Sequence, residues 1–435
     1  MDILTITYAS LALFVSATIW YLLYRRNQKK NYTYKELIVT ILTIGLATHL
    51  IYVIFTPLFW APDAQSHFNF VKYLSEHYAL PIHTVKMGDI SNEWEYYQPP
   101  LYYIILAPFY KISTLMGADL NTSVKILRIT SVFFWFISTY FSIKFIETIK
   151  FNNFAIKILT ITIFSLLPTY IFISSTINND NLIIVFANIL LYLSTRESTK
   201  KNAILMGVIL GLAILTKLLA AIIFVYFGLI FLYKFFKKNR NWNSITNTFI
   251  TIAIGIIFWI PMIVRNLIIY GSLTAADVVN VPYYWDSIWK CIYSSMIYLQ
   301  ISFWSIAGMF NDIGGRFGVV GGIIFLFSAF GYIKYRKEVL SSYHSLERQE
   351  KEFLITMILT IITNLGLVAW FAFAYAQAQG RYLLLLLAPI SLIIAYGFNN
   401  YKIFRRNDIV IHIIGVFLTY NLLFASYCLS KFSMG

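Results

Sequence analysis

Charge is scarce in this chain. Only 12% of its 435 residues are Asp, Glu, Lys or Arg, 59% are hydrophobic, and the mean hydropathy is +0.69. That balance excludes a soluble globular domain, which has no interior large enough to hide so much apolar side chain. Cysteine is nearly absent. Cys291 and Cys428 make up the whole complement. They form neither a zinc-ligand spacing nor a disulfide framework and read as small apolar fillers. Strict alternation of apolar and polar residues is missing as well, which excludes a membrane β-barrel. No internal repeat of the kind found in transporter halves is visible, and no low-complexity linker interrupts the chain.

What is present is a series of apolar runs, each long enough for a membrane helix. They predict an all-α, polytopic transmembrane protein of about twelve helices. The runs lie near 3–24, 36–59, 124–146, 158–177, 181–195, 203–217, 218–236, 244–270, 317–334, 353–375, 382–399 and 409–430. No basic stretch precedes 3–24 and a basic cluster follows it, so that segment reads as a retained helix and not a signal peptide.

Acidic residues are outnumbered, 19 to 34, and the formal charge is +15. Topology accounts for this excess without nucleic acid as a partner. The surplus falls on alternate loops, carried by residues such as Arg25, Arg26, Lys150, Lys200, Lys237, Arg336 and Arg405. The intervening loops are balanced. The positive-inside bias makes the basic loops cytoplasmic. The protein is then a multi-pass protein of the cell membrane, in contact with its lipids. Both termini and the large loop 60–122 lie outside.

That loop is the polar exception in an apolar chain. It carries Asp63, His67, His77, His83, Asp89, Glu93 and Glu95. From Asp63 the apolar spacing is that of an amphipathic helix, with Asp63 placed to cap it and His67 one turn on. His77 and His83 read as solvent-facing. After Pro99-Pro100, the segment LYYIILAPFYKISTLMG predicts a second helix at the membrane interface. A second outer region spans 271–316 and includes Asp277, Asp286, Asp312 and Arg316. The outer side also gathers Asp180, Lys217, Arg265 and Arg381. Charges at membrane depth are costly and face cavities. Carboxylates beside cations suit a phosphate-bearing substrate, with a carboxylate as base or metal ligand. Glu93 and Glu95 read as lesser candidates, solvated in the loop.

The blocks PDAQSHF (62–68), QPPLYY (98–103), GLAILTK (211–217), RNLIIYG (265–271), SFWSIAG (302–308) and QGRYLLLLLAP (379–389) occur in an order that resembles the GT-C superfamily of membrane glycosyltransferases. More narrowly, they resemble bacterial relatives of the protein O-mannosyltransferases and of the lipid A aminoarabinose transferases. The resemblance spans nearly the whole chain, 1–435, as one GT-C-like domain, with 1–35 as an added helix and basic loop. It implies a polyprenyl-phosphate-linked sugar donor, a lipid, glycan or protein acceptor, and inverting transfer at an extracytoplasmic site. Asp63 matches the acidic residue that acts as base or binds metal, with His67 as its helper. A divalent metal held by Asp63 and His67 is the one cofactor implied. Lys217, Arg265 and Arg381 match basic positions near donor phosphate. Asp180, Gln98 and Tyr102 join them as substrate contacts. The family pattern often has two adjacent acids, whereas Ala64 follows Asp63 here. The competing readings are a transporter or flippase of lipid-linked or polar substrates, and an inactive binding protein of the same fold.

Overall fold

A computed structural model describes residues 3–84, 93–149, 153–237, 241–275, 283–307, 315–376, 378–399, 401–406 and 408–432. These contain 17 α-helices and no strand. Helices α1 (Ile3–Lys29) and α2 (Tyr34–Phe55) are followed by α3 (Ala64–His77), α4 (Leu101–Leu115), α5 (Leu120–Thr148), α6 (Phe154–Leu166) and α7 (Pro168–Ser174). Then come α8 (Asp180–Ser194), α9 (Lys200–Ile214), α10 (Ala221–Phe236) and α11 (Trp242–Tyr270). The rest are α12 (Ile288–Trp304), α13 (Gly315–Lys334), α14 (Arg336–Ser345), α15 (Arg348–Tyr375), α16 (Leu387–Tyr396) and α17 (Ile409–Phe432).

Among the described residues, 8 helices are long and apolar enough to cross a membrane, or 9 if α6 and α7 are one bent span. The sequence predicts about twelve such helices, and several of them are broken or short in the structure. The expected helix 158–177 breaks between Leu166 and Pro168 and turns by 42°. Proline removes a helical donor and pushes Leu167 into extended backbone (φ −64°, ψ 119°). The expected helices 181–195 and 382–399 are short, at Asp180–Ser194 and Gly380–Tyr396. The latter opens as a 3₁₀ turn over Gly380–Leu386. In the opposite direction, α12 is a 17-residue helix inside the region 271–316, which reads from sequence as an outer loop.

The helices pack closely where small residues allow it. A Cβ on Gly211 of α9 would lie 2.5 Å from the Phe258 ring of α11, so that helix pair depends on glycine there. The core holds Trp135, Tyr170, Phe172 and Phe424, all fully buried. The lipid-facing surfaces of α1, α11 and α15 remain apolar and exposed, as a membrane solvent requires.

Loop contacts sort into two groups. Asp63 meets Arg381, Lys217 meets Asp180, Arg265 meets Pro81, and Tyr283 N donates to Ala374 O. Separately, Lys237 meets Glu352 at 3.9 Å and Asn247 Nδ2 donates to Ser198 O. The first group joins segments read from sequence as outer, and the second joins segments read as cytoplasmic.

Candidate functional site

The site begins with the turn that joins α2 to α3. Arg128 of α5 is buried and donates to Thr56 O (2.7 Å), Pro57 O (2.8 Å) and Val53 O (3.3 Å). A cation on the last carbonyls of α2 satisfies acceptors that the helix itself leaves free. Beyond it, Phe59 and Asp63 both take left-handed backbone (φ 57° and 58°). Non-glycine residues rarely sit there, and such strain persists only where the surroundings fix it. Asp63 precedes α3 but its side chain makes no capping bond. The expected cap is absent because the carboxylate turns instead to Arg381, with Oδ2 2.5 Å from Nη2.

Arg381 comes from the 3₁₀ turn after α15. Gly380 N donates to Ser302 Oγ at 2.7 Å, and a Cβ on Gly380 would lie 2.2 Å from Phe303 N. The lack of a side chain at 380 therefore seats the turn against α12. The blocks around 302–308 and 379–389, distant in sequence, meet here.

Helices α3 and α4 form the next wall. His67 and Tyr103 are almost wholly buried, and Phe70 stacks on the Tyr103 ring at 3.9 Å. His67 Nδ1 is 2.9 Å from Tyr103 Oη and 3.8 Å from Glu95 Oε2. Tyr103 also donates to Glu95 Oε2 (3.3 Å) and accepts from Asn179 Nδ2 (3.2 Å). The α7–α8 turn supplies Asn179 and Asp180. Lys217 Nζ binds Asp180 Oδ1 at 2.7 Å with both side chains buried.

Electrostatics separates the acids. Burial raises the Asp63 carboxyl, but the Arg381 guanidinium, with Lys217 adding to it, outweighs burial and holds the group below its ordinary value. Burial, followed by the Asp63 charge, pushes Glu95 up to about 7. Burial drives His67 down to about 3. The site therefore favours an ionised Asp63 and a neutral imidazole.

Several buried polar atoms here have no protein partner. They are His67 Nε2, Asp180 Oδ2, Asn179 Oδ1, Gln98 Oε1, Gln379 Oε1, and Nε and Nη1 of Arg381. Buried polar groups are ordinarily satisfied, so such a concentration marks a place for a ligand or ordered water. Asp63, His67 and Glu95 each offer a ligand atom, all within 4.8 Å of one another. Two carboxylates and an imidazole with a free, buried Nε2 fit a divalent cation.

The residues singled out in the sequence divide accordingly. Asp63, His67, Asp180, Lys217 and Arg381 come together. Gln98 is buried nearby, with Nε2 on Tyr97 Oη at 2.9 Å. Tyr102 lies behind the site, its hydroxyl between Ser131 Oγ and Asn178 N. Arg265 braces the loop by donating to Pro81 O and covers the Tyr270 ring. His83 is buried, contrary to its sequence reading, because its N donates to Tyr270 Oη and its ring meets Glu93 O. Glu93 accepts from Thr84 and serves the loop. Glu95, read as solvated, is buried at the centre, alongside Tyr103, Asn179 and Gln379, which sequence reasoning passes over. Only the QPPLYY block gave a sign of Tyr103. Asp89, Asp277 and Asp312 lie outside the described residues, as does the side chain of Arg316.

No family model and no curated protein matches this chain. Solved structures do. ArnT from Cupriavidus metallidurans, determined with undecaprenyl phosphate bound, superposes with a TM-score of 0.59 over 93% of this chain and 78% of its own, at 10% identity. The chain has the GT-C fold. The oligosaccharyltransferase of Archaeoglobus fulgidus, determined with a tethered acceptor peptide, superposes with a TM-score of 0.51 at 12% identity. That match covers 89% of this chain and 55% of the archaeal one, so the present chain spans about half of that relative. At these identities the likeness is one of fold.

Proposed function

We propose that this protein is a glycosyltransferase that moves a sugar from a polyprenyl-phosphate-linked donor to an acceptor on the extracytoplasmic side of the membrane. The observation that carries the reading is the part-buried meeting of Asp63 and Arg381, beside the buried pair of Lys217 and Asp180, in a GT-C fold. Charges buried in an apolar chain mark function by default. ArnT, the fold relative, is known with undecaprenyl phosphate bound, which supports a lipid phosphate as the donor's carrier.

In this reading the donor phosphate lies against Arg381 and Lys217. Nε and Nη1 of Arg381 are buried and unpartnered, and so available to phosphate oxygens. The acceptor hydroxyl lies against Asp63, which Arg381 keeps ionised. As the acceptor oxygen bonds to the anomeric carbon, the bond to phosphate oxygen breaks and its electron pair leaves with the polyprenyl phosphate. Asp63 takes the acceptor proton, while Arg381 and Lys217 meet the charge on the departing phosphate. Holding both substrates in line supplies much of the rate. Asp63, His67 and Glu95 would hold a divalent cation, whose chemistry is that of a Lewis acid. Arg265 donates to Pro81 O and in this reading braces the segment that follows α3. Incubating purified protein with a panel of polyprenyl-phosphate sugars and following donor consumption tests this assignment.

A further inference from the structure

Tyr103 stands at the crossing of three contacts, and the hydrogens available to them are few. Its hydroxyl oxygen lies 2.9 Å from His67 Nδ1, 3.3 Å from Glu95 Oε2 and 3.2 Å from Asn179 Nδ2. A phenol has one hydrogen to give. In its ionised form, the form in which it would hold a cation, the Glu95 carboxylate only accepts, and an amide nitrogen only donates. The single hydrogen therefore goes to Glu95, and the oxygen accepts from Asn179. The remaining contact is satisfied when His67 Nδ1 carries the proton and donates to the same oxygen.

We propose that Tyr103 is a positioning residue that fixes His67 as the Nδ1–H tautomer, leaving the Nε2 lone pair bare for a divalent cation. Which ring nitrogen bears the proton is set by the bond that the other makes. The rest of the geometry agrees. His67 Nε2 is buried and has no protein partner. The ring has little room to flip, since His67 is 1% exposed and Tyr103 is 0% exposed. Tyr103 is itself clamped by the Phe70 ring, 3.9 Å away and 14° from parallel. Tyr102 does not share this role, because its hydroxyl is committed to Ser131 and Asn178.

The cation half of this inference rests on reading Asp63, His67 and Glu95 as a cation-holding group. The tautomer half does not. The test uses the full-length protein with ¹⁵N-labelled histidine, stripped of metal with chelator and held above about pH 8, where Glu95 is ionised. The His67 signals are assigned by their loss in His67→Gln. The wild type is expected to show a protonated Nδ1 and a bare Nε2, and Tyr103→Phe to lose that pattern. Titration with Mn²⁺ is then expected to show affinity for Tyr103→Phe weaker by about 10- to 100-fold. A wild-type His67 protonated on Nε2 would overturn the proposal, as would an unchanged tautomer in Tyr103→Phe or a wild type that binds no Mn²⁺. If Tyr103→Phe fails to fold, the wild-type spectrum and Mn²⁺ titration still decide. Absence of donor consumption with the tautomer and Mn²⁺ results intact would sink glycosyl transfer and leave this inference standing.

Discussion

Asp63 and Arg381 are 318 residues apart in sequence and form a direct ion pair, with Oδ2 2.5 Å from Nη2. The pair joins the turn after α2 to the turn after α15. It also keeps ionised the acid to which the proposed chemistry assigns the acceptor proton.

Removing the charge without altering shape separates chemistry from folding. Asp63→Asn keeps a residue that tolerates the left-handed backbone observed there. It is expected to fold normally and to lose at least about 100-fold in transfer, the contribution of a positioned proton acceptor. Arg381→Met has a different signature. It leaves a partly buried carboxylate unpaired and is expected to cost about 3 kcal/mol of stability as well as activity. Thermal unfolding in detergent, beside donor turnover, distinguishes the two.

Gly380 offers a steric test. A Cβ there would lie 2.2 Å from Phe303 N and 2.7 Å from Leu299 O. Both are backbone atoms, which cannot rotate away. Gly380→Ala is expected to displace Arg381 and reduce turnover more than Asp63→Glu does, with a lowered unfolding temperature. Turnover equal to wild type would contradict the close approach.

Arg128 tests the frame around the turn. Its guanidinium satisfies carbonyls of Val53, Thr56 and Pro57 while buried. Arg128→Met should destabilise the protein by about 2–4 kcal/mol through buried acceptors left unpaired. Activity and unfolding temperature should fall together, unlike in Asp63→Asn.

Glu95 sets a pH dependence of stability in metal-free protein. Its folded value is raised to about 7 from 4.5. The folded state therefore holds a proton that the unfolded state has released between these values. The stability contributed by that proton is fully present below about pH 4.5 and is lost as pH rises through about 7. Asp63, held low, acts in the opposite direction and only in more acid solution. Glu95→Gln should flatten the fall in unfolding temperature between pH 5 and 8, measured with chelator present.

Much of the fold is written in composition. Apolar runs and scarce charge suffice for a polytopic helical protein, and the ordered blocks point to its fold. The breaks are less visible. Pro168 bends a run whose hydropathy is continuous, and α12 lies in a region whose aromatic and acidic residues resemble a loop. The site is legible where a residue is costly in its setting. Asp63, Asp180, Lys217 and Arg381 stand out because charge at membrane depth needs a reason. Glu95 does not, since it sits in a polar loop where solvation is the ordinary state. Its burial depends on how α3, α4 and the turn at 93–98 close over it. Tyr103 is hidden differently, as one tyrosine among 32, distinguished from Tyr102 only by the face of α4 it occupies.

Donor consumption by purified protein tests the central claim most directly. Wild type, supplied with polyprenyl-phosphate sugars and an acceptor extract from its own membrane, is predicted to release polyprenyl phosphate from at least one donor, and Asp63→Asn to release none. Consumption at the wild-type rate by Asp63→Asn, or no consumption of any donor by folded wild type, would contradict the account.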